Sequence, residues 1–282
     1  MSDITVDLPM AGRPSIGKTL FNNARLFWQG AYLSYVAMFH WLEPQVYLAS
    51  KILMPISQIM FFSLLGMYAS KTTDPTFYVI GNAIQMVAIN GIFGVTMSVG
   101  GDRWSGTLPY LFGSPANRLT LFIGRAIVHV LDGALGAVLG LVWGVLILKL
   151  DLSHANLGLL ALTIIITTFS TSALGLLLGC LSLITVNVMF INNTVYFLLL
   201  IFSGANLPLS QQPMWMQTIS QFLPLTRGIA SARLIIAGGN ADEALPLVAA
   251  EFLIGVMYIV LGYVFFRWFE FHAKQRGTLE GV

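Results

Sequence analysis

The sequence contains little charge. Asp, Glu, Lys and Arg make up 9% of its 282 residues, against roughly 25% in an average soluble domain. Hydrophobic residues make up 56%, and no charged residue lies between Asp151 and Arg227. Apolar runs of about 20 residues are long enough to cross a bilayer. The composition therefore excludes an ordinary soluble domain and indicates a membrane protein.

Cysteine is almost absent, which excludes a second group of functions. The single Cys180 cannot form an intrachain disulfide or a cysteine metal cluster. Four histidines occur without the spacing of a zinc-binding helix, at His40, His129, His154 and His272. No serine stands in a G-x-S-x-G turn, and a net charge of +2 is too small to indicate nucleic-acid binding. We therefore expect no catalytic residue, no metal site and no nucleic-acid partner.

One short stretch does match a functional motif. Residues 12–19, "GRPSIGKT", fit the pattern of a phosphate-binding P-loop. A working P-loop needs a strand before its first glycine and an acidic residue elsewhere to hold magnesium. Pro9 interrupts the stretch before Gly12, and Pro14 removes an amide that should contact phosphate. We interpret Lys18 as part of a helix start, and we expect no cofactor bound by this chain.

The chain divides into four parts. Residues 1–15 are polar and are predicted to form a disordered tail. Residues 16–44 have apolar side chains at steps of three and four, which predicts an amphipathic helix from Ile16 to Trp41 on the membrane surface. Residues 45–270 form the predicted membrane domain, and residues 271–282 are a predicted cytoplasmic tail.

The predicted fold is an all-α membrane protein with six spans. Hydropathy places the spans at about 46–69, 77–100, 121–148, 157–184, 188–206 and 246–269. An even number leaves both termini on one side of the membrane. Of the 14 Lys and Arg residues, most lie near the face that carries the termini. The positive-inside rule therefore predicts cytoplasmic termini.

Ionisable residues inside the predicted spans form one candidate site. Arg125, His129 and Asp132 occupy positions i, i+4 and i+7, which share a helix face. They form either an intramembrane polar network with a proton site or a structural arrangement. In the structural arrangement Arg125 reaches the headgroups and Asp132 pairs with His129. Lys51 and Glu251 stand alone in other spans, and we expect each to have an interhelical partner.

Uncharged polar residues form a second candidate site. Five amides lie in or beside the predicted spans, at Asn82, Gln85, Asn90, Asn192 and Asn193. They line a translocation path or bond neighbouring helices, and the sequence leaves both interpretations open. Glycines at four-residue spacing predict close helix packing at Gly136, Gly140, Gly144, Gly175 and Gly179.

Two stretches are similar to those of a known family. Residues 101–125, "GDRWSGTLPYLFGSPANRLTLFIGR", contain an acid-Arg pair, Gly-Thr-Leu, Ser-Pro and a later Gly-Arg. Residues 202–233, "FSGANLPLSQQPMWMQTISQFLPLTRGIASAR", contain Ser-Gly, several prolines, Leu-Pro-Leu and Arg. With the order of predicted helices, these stretches resemble the permease subunits of ABC-2-type exporters, a class that includes drug, nodulation-factor and polysaccharide exporters. Pro109 stands where that family usually has Glu.

The resemblance implies an architecture. Such permeases lie in the bacterial cytoplasmic membrane, dimerise, and rest on a separate ABC ATPase that binds ATP and magnesium. By this resemblance residues 101–118 form a cytoplasmic coupling loop that contacts the ATPase. Residues 16–44 are implied to form the connecting helix, and residues 203–246 an external re-entrant hairpin. The implied contact residues of the coupling loop are Asp102, Arg103, Trp104, Thr107 and Leu108.

The resemblance also implies a function. We expect an exporter that moves an amphipathic or lipid-linked substrate out of the cytoplasm or the inner leaflet, with ATP hydrolysed by the partner. The alternative is a proton-coupled secondary transporter or channel that uses Asp132 and His129. A third interpretation is a membrane scaffold without transport.

Overall fold

The fold is built from helices packed around one long central pair. The computed structural model describes residues 16–41, 43–104, 106, 117–182 and 187–276. In chain order the helices are α1 (Ile16–Trp41), α2 (Pro44–Ser70), α3 (Thr76–Ala88), α4 (Val95–Trp104), α5 (Arg118–Leu148), α6 (Leu157–Ser182), α7 (Val188–Phe202), α8 (Met214–Ser220), α9 (Thr226–Ile236) and α10 (Ala241–Arg276). A π-helix, Ile89–Gly94, joins α3 to α4, and a short 3-10 helix covers Leu209–Gln211. The all-α prediction is confirmed for the described residues.

Five helices in the described part of the chain are long and apolar enough to cross a membrane. Their apolar stretches are Pro44–Ser70, Thr76–Gly101, Thr120–Leu148, Leu157–Leu181 and Ala241–Trp268. The fifth predicted span corresponds to α7, whose 15 residues rise only about 22 Å, whereas the hydrocarbon core is about 30 Å thick. The structure therefore shows five candidate spans, and the sixth stays a prediction.

Local sequence explains where several helices begin and end. The side chain of Asn117 accepts a hydrogen bond from the Thr120 N–H at 3.3 Å and so caps the start of α5. Pro44 opens α2, where its missing N–H costs nothing. Lys71 and Lys149 adopt left-handed backbone angles, φ 53° and 55°, and end α2 and α5.

At the centre of the bundle, α6 packs against the continuous helical segment formed by α3, the π-helix and α4. These two are the most buried of the candidate spans. A Cβ added at Gly175 in α6 would lie 2.1 Å from the Gly91 carbonyl oxygen, so only glycine permits this approach. In the same way a Cβ at Gly144 in α5 would lie 2.4 Å from Val79 in α3. Added Cβ atoms would also meet neighbours at 3.0 Å at Gly140 and 2.9 Å at Gly179, so close packing is confirmed at four of the five spaced glycines. At Gly136 the nearest atom is 3.5 Å away.

Helix α1 lies against α5. A Cβ added at Gly124 would meet the Phe27 carbonyl oxygen at 2.3 Å, so the two backbones touch. The opposite side of α1 carries exposed aromatic side chains at Phe21, Trp28 and Tyr32. The predicted helix Ile16–Trp41 is confirmed. Its position on the membrane surface stays a prediction.

Candidate functional site

The first part of the site is a buried ion pair between α2 and α5. The Lys51 ammonium lies 2.7 Å from Asp132 Oδ2, and the two side chains are only 11% and 8% exposed. The hydroxyl of Tyr47 donates a short hydrogen bond to Asp132 Oδ1. Tyr47 and Lys51 are four residues apart and so share one face of α2. We call these three residues the Asp132 cluster.

The other two members of the predicted polar network have different partners. The Arg125 guanidinium donates to the carbonyl oxygen of Ser98 in α4 at 3.0 Å. The His129 ring lies against Gly94, where an added Cβ would meet its Nδ1 at 2.4 Å. In the structural interpretation Asp132 pairs with His129; the structure shows an ion pair of Asp132 with Lys51, because α2 brings two donors to the carboxylate.

The π-helix lies next to this cluster. The Asn90 side chain donates to the backbone carbonyl oxygen of Asp132 at 3.3 Å, and so links the π-helix to α5. π-helical turns within α-helices occur frequently at functional sites. Asn90 is one of the five amides for which the sequence leaves a path role and a helix-bonding role open. Its hydrogen bond to a neighbouring backbone is compatible with either interpretation.

Two more predicted path residues face the segment that follows α7. We call residues 203–240 the hairpin segment. Asn82 Nδ2 donates to Tyr78 O at 2.9 Å and to Asn206 Oδ1 at 2.8 Å. One turn further along α3, Gln85 Oε1 accepts from the Ser203 hydroxyl at 3.1 Å. The structure therefore brings two predicted residues together with the first residues of the hairpin segment.

The two amides of α7 differ from each other. Asn193 donates to Met189 O of its own helix at 2.8 Å and is exposed. Asn192 is fully buried, and neither polar atom of its side chain has a hydrogen-bond partner within the described residues. An unpaired buried amide is costly, so Asn192 is the strongest path candidate of the five.

A second set of contacts holds the hairpin segment in place. The Arg233 guanidinium, in α9, donates to the carbonyl oxygens of Gly204, Ala205 and Phe77 at 2.9 to 3.0 Å. Its carbon also lies 3.5 Å from the centre of the Phe77 ring, a cation–π arrangement. Arg233 therefore fastens α9 both to the end of α7 and to the start of α3.

Three of the five predicted coupling residues lie at the end of α4. Asp102, Arg103 and Trp104 form its last turn, so they continue the helix that begins at Val95. Thr107 and Leu108 lie outside the described residues. The roles assigned to all five stay predictions.

Comparison with known proteins decides the family. The family described as ABC-2 type transporter matches residues 33–237, which is more than half of the chain. The chain belongs to the ABC-2 type transporter family. This match covers the Asp132 cluster, all five amides, the coupling loop and most of the hairpin segment.

Two similar relatives carry the same printed name, "Probable multidrug ABC transporter permease YbhR". They come from Escherichia coli strain K12 and from Escherichia coli O157:H7, and each is 28% identical over 154 residues. The aligned region is 54% of this chain and 41% of each relative. This chain therefore matches less than half the length of these two relatives.

Sequence reasoning missed the partners that matter most in this ABC-2 protein. Tyr47 is not among the residues that the sequence pattern indicates, yet it shares a helix face with Lys51 and donates to Asp132. Glu251 was isolated in an apolar run, and the structure gives it partners in two other elements, Ser170 and Leu225. The expectation of interhelical partners for Lys51 and Glu251 is confirmed. The available signal was a lone ionisable residue in each span.

Proposed function

We propose that this chain is the membrane permease subunit of an ATP-driven exporter. In this proposal a separate ABC ATPase binds ATP and magnesium, and this chain binds no nucleotide. The observation that carries the proposal is the family match over residues 33–237, which includes the whole coupling loop. The printed name of the two relatives, a probable multidrug permease, supports a transport role.

The helix that enters the coupling loop is suited to transmit force. It runs without a break from Thr76 to Trp104. The Thr96 hydroxyl donates to the Gly175 carbonyl oxygen of α6 at 3.0 Å, and the Ser98 carbonyl accepts from Arg125 of α5. A push on the coupling loop by an ATPase would therefore move α4 together with α5 and α6, as a rigid-body shift.

The proposed topology has six spans in a bacterial cytoplasmic membrane, with both termini in the cytoplasm. The apolar helix α7 is the additional span, and its outward side chains, such as Phe190 and Phe197, are exposed as lipid contact requires. The external re-entrant part is residues 203–246, which are the hairpin segment and the first six residues of α10. The hydroxyl of Tyr258 in α10 donates to Phe222 O at 3.1 Å, a contact that supports penetration beside the last span.

We further propose that α1 is the connecting helix at the cytoplasmic membrane surface. Its exposed aromatic face, with Phe21, Trp28 and Tyr32, fits the headgroup layer, where aromatic rings are enriched. Its other face contacts α5 at Gly124. The helix therefore joins the membrane surface to the helix that follows the coupling loop.

For the substrate we propose an amphipathic or lipid-linked molecule, carried by a permease homodimer. The buried amides of Asn82, Gln85 and Asn192 offer hydrogen bonds without charge, and each has a polar atom that no described residue satisfies. Such groups suit a substrate that is mostly apolar with a few polar atoms.

The proton-coupled alternative depends on Asp132. Both oxygens of its carboxylate already have a donor, from Lys51 and from Tyr47. This arrangement favours a structural ion pair over a carboxyl group that exchanges protons during transport. In the alternative, Asp132→Asn would abolish transport, and loss of the ATPase would leave it intact.

The test is purification from the native membrane in a mild detergent. We expect a soluble ATPase to co-purify in stoichiometric amount and to be lost when Asp102 and Arg103 are both replaced by Ala. The matched control replaces Lys71 and Glu243 by Ala, because these charges are exposed and lie on the predicted opposite side. Retention of the ATPase in the first variant, or a chain that purifies alone, would contradict the proposal.

A further inference from the structure

The last helix holds a carboxylate that reaches the hairpin segment from inside the bundle. Glu251 of α10 is fully buried. Its Oε1 accepts a hydrogen bond from the Leu225 backbone N–H at 2.6 Å and a short one from the Ser170 hydroxyl of α6. Leu225 is the residue that precedes the first turn of α9, and its φ is 84°. Glu251 therefore caps the N-terminus of α9 with a side chain from another helix.

Helix geometry places this cap deep along α10. Glu251 is ten residues after the start of α10 at Ala241, which corresponds to about 15 Å of helix. Tyr258 is two turns further, and it binds Phe222 O. The stretch from Phe222 to Leu225 thus runs beside the middle of a candidate span. Free N–H groups at that depth find no water, so the N-terminus of α9 needs a protein acceptor.

A carboxyl oxygen is a favourable acceptor at this position, because the N-terminal end of a helix carries a partial positive charge. The charged and titratable side chains closest to the cap are Arg227 and Tyr258. The Arg227 guanidinium is held by Gln221 through its carbonyl and side-chain oxygens at 2.6 and 3.0 Å.

Small polar residues make two of the contacts between α9 and α6. A Cβ at Gly228 would lie 2.0 Å from Thr167 Oγ1, and the hydroxyls of Ser231 and Thr163 are 3.3 Å apart. No large side chain interlocks at these two points of contact. Leu225 and Ile229 add fully buried apolar side chains here, so the cap acts together with apolar packing at the N-terminal end of α9, whereas Arg233 fastens the other end.

We propose that Glu251 is a positioning residue that latches the N-terminal end of α9 into the membrane, and that its release opens the external side during transport. The latch itself consists of the contacts of Glu251 with Ser170 and Leu225, which are part of the fold of this chain. Its role in opening rests on the proposed function.

The test measures access to the latch with a membrane-impermeant maleimide. The reporter is Thr226→Cys, because Thr226 is 2% exposed and its hydroxyl has no partner among the described residues. The native Cys180 reports global unfolding in the same molecule. It is buried in α6, and its thiol donates a hydrogen bond to Gly262 O at 3.4 Å. Mass spectrometry resolves labelling at the two thiols in membranes that contain the permease alone.

We expect Glu251→Ala to speed labelling of the introduced thiol about tenfold or more, the factor for losing one buried hydrogen bond, while Cys180 stays unlabelled. Glu251→Gln keeps an oxygen for Leu225 and Ser170, so most of the protection should return. The matched control Glu243→Ala removes an exposed carboxylate of the same helix and should change nothing.

The proposal is overturned if the reporter stays protected in Glu251→Ala, or if Glu251→Gln labels as fast as Glu251→Ala. Should Glu251→Ala be lost from the membrane or expose Cys180, Ser170→Ala decides, because it removes one donor and leaves the carboxylate. Faster reporter labelling in that variant supports the latch, and unchanged labelling overturns it. The assay needs no ATPase, so its failure is distinguishable from failure of the exporter proposal.

Discussion

Removing the ammonium of the Asp132 cluster should destabilise the protein strongly. Lys51→Met leaves the Asp132 carboxylate, 8% exposed, with only the Tyr47 hydroxyl as a donor. Breaking a buried ion pair on one side costs about 3–5 kcal/mol. Because Tyr47 still donates, we expect a loss near the lower end, about 3 kcal/mol in the free energy of unfolding. Asp132→Leu, which leaves Lys51 unpaired, should cost about the same.

The double variant tests whether Lys51 and Asp132 form an ion pair or contribute to stability independently of each other. Lys51→Met with Asp132→Leu removes both charges and leaves only the Tyr47 hydroxyl without its acceptor, which costs about 1–3 kcal/mol. The expected loss is therefore far smaller than the sum of the single losses, about 6 kcal/mol. Lys71→Met, the same substitution at an exposed site, should stay within about 0.5 kcal/mol of the parent.

The assay is reversible unfolding in mixed micelles, followed by tryptophan fluorescence over a denaturant titration. A double variant that loses as much stability as the two single variants together would show that Lys51 and Asp132 do not interact. That result would refute the assignment of the Asp132 cluster as the fastening between α2 and α5.

Three further predictions concern packing, the hairpin segment and the path. Gly144→Ala places a methyl 2.4 Å from a side chain of α3 and should lower the unfolding temperature. The control Gly136→Ala, whose added methyl has its nearest neighbour at 3.5 Å, should leave the unfolding temperature unchanged. Equal melting curves for the two variants would contradict the close packing at Gly144. Arg233→Lys cannot supply a planar fork to three carbonyls and should speed proteolysis of the hairpin segment, whereas Arg227→Lys should have little effect. Asn192→Leu removes a buried amide that no described residue satisfies, so the free energy of unfolding should rise by about 1–3 kcal/mol. Transport should fall in the same variant. A loss of stability would show that the amide has a partner.

Hydropathy predicts the long apolar helices, because the composition of each apolar run is enough to identify it. The start and end of α1 at Ile16 and Trp41 followed from a change in periodicity. α7 ends earlier than predicted. Its run was predicted to extend from residue 188 to 206, but the helix ends at Phe202, because Gly204 adopts a left-handed φ of 80° and Arg233 binds its carbonyl.

The partners inside the bundle could not be predicted from spacing along one helix. His129 lies three residues from Asp132, yet Asp132 bonds to α2, because tertiary packing decides which helix faces a carboxylate. The same holds for Glu251. The Leu225 backbone N–H can donate to it only because the fold places the start of α9 beside α10. The sequence marks these residues as costly at membrane depth. The geometry of the bundle decides what satisfies them.

The central claim is that ATP acts through a partner, and nucleotide binding tests it most directly. The purified chain alone should bind no ATP and hydrolyse none, and the complex with its ATPase should hydrolyse ATP at a rate that Lys18→Ala does not change. ATP binding by the chain alone, abolished by Lys18→Ala, would contradict the account, because the stretch at residues 12–19 would then be a working P-loop.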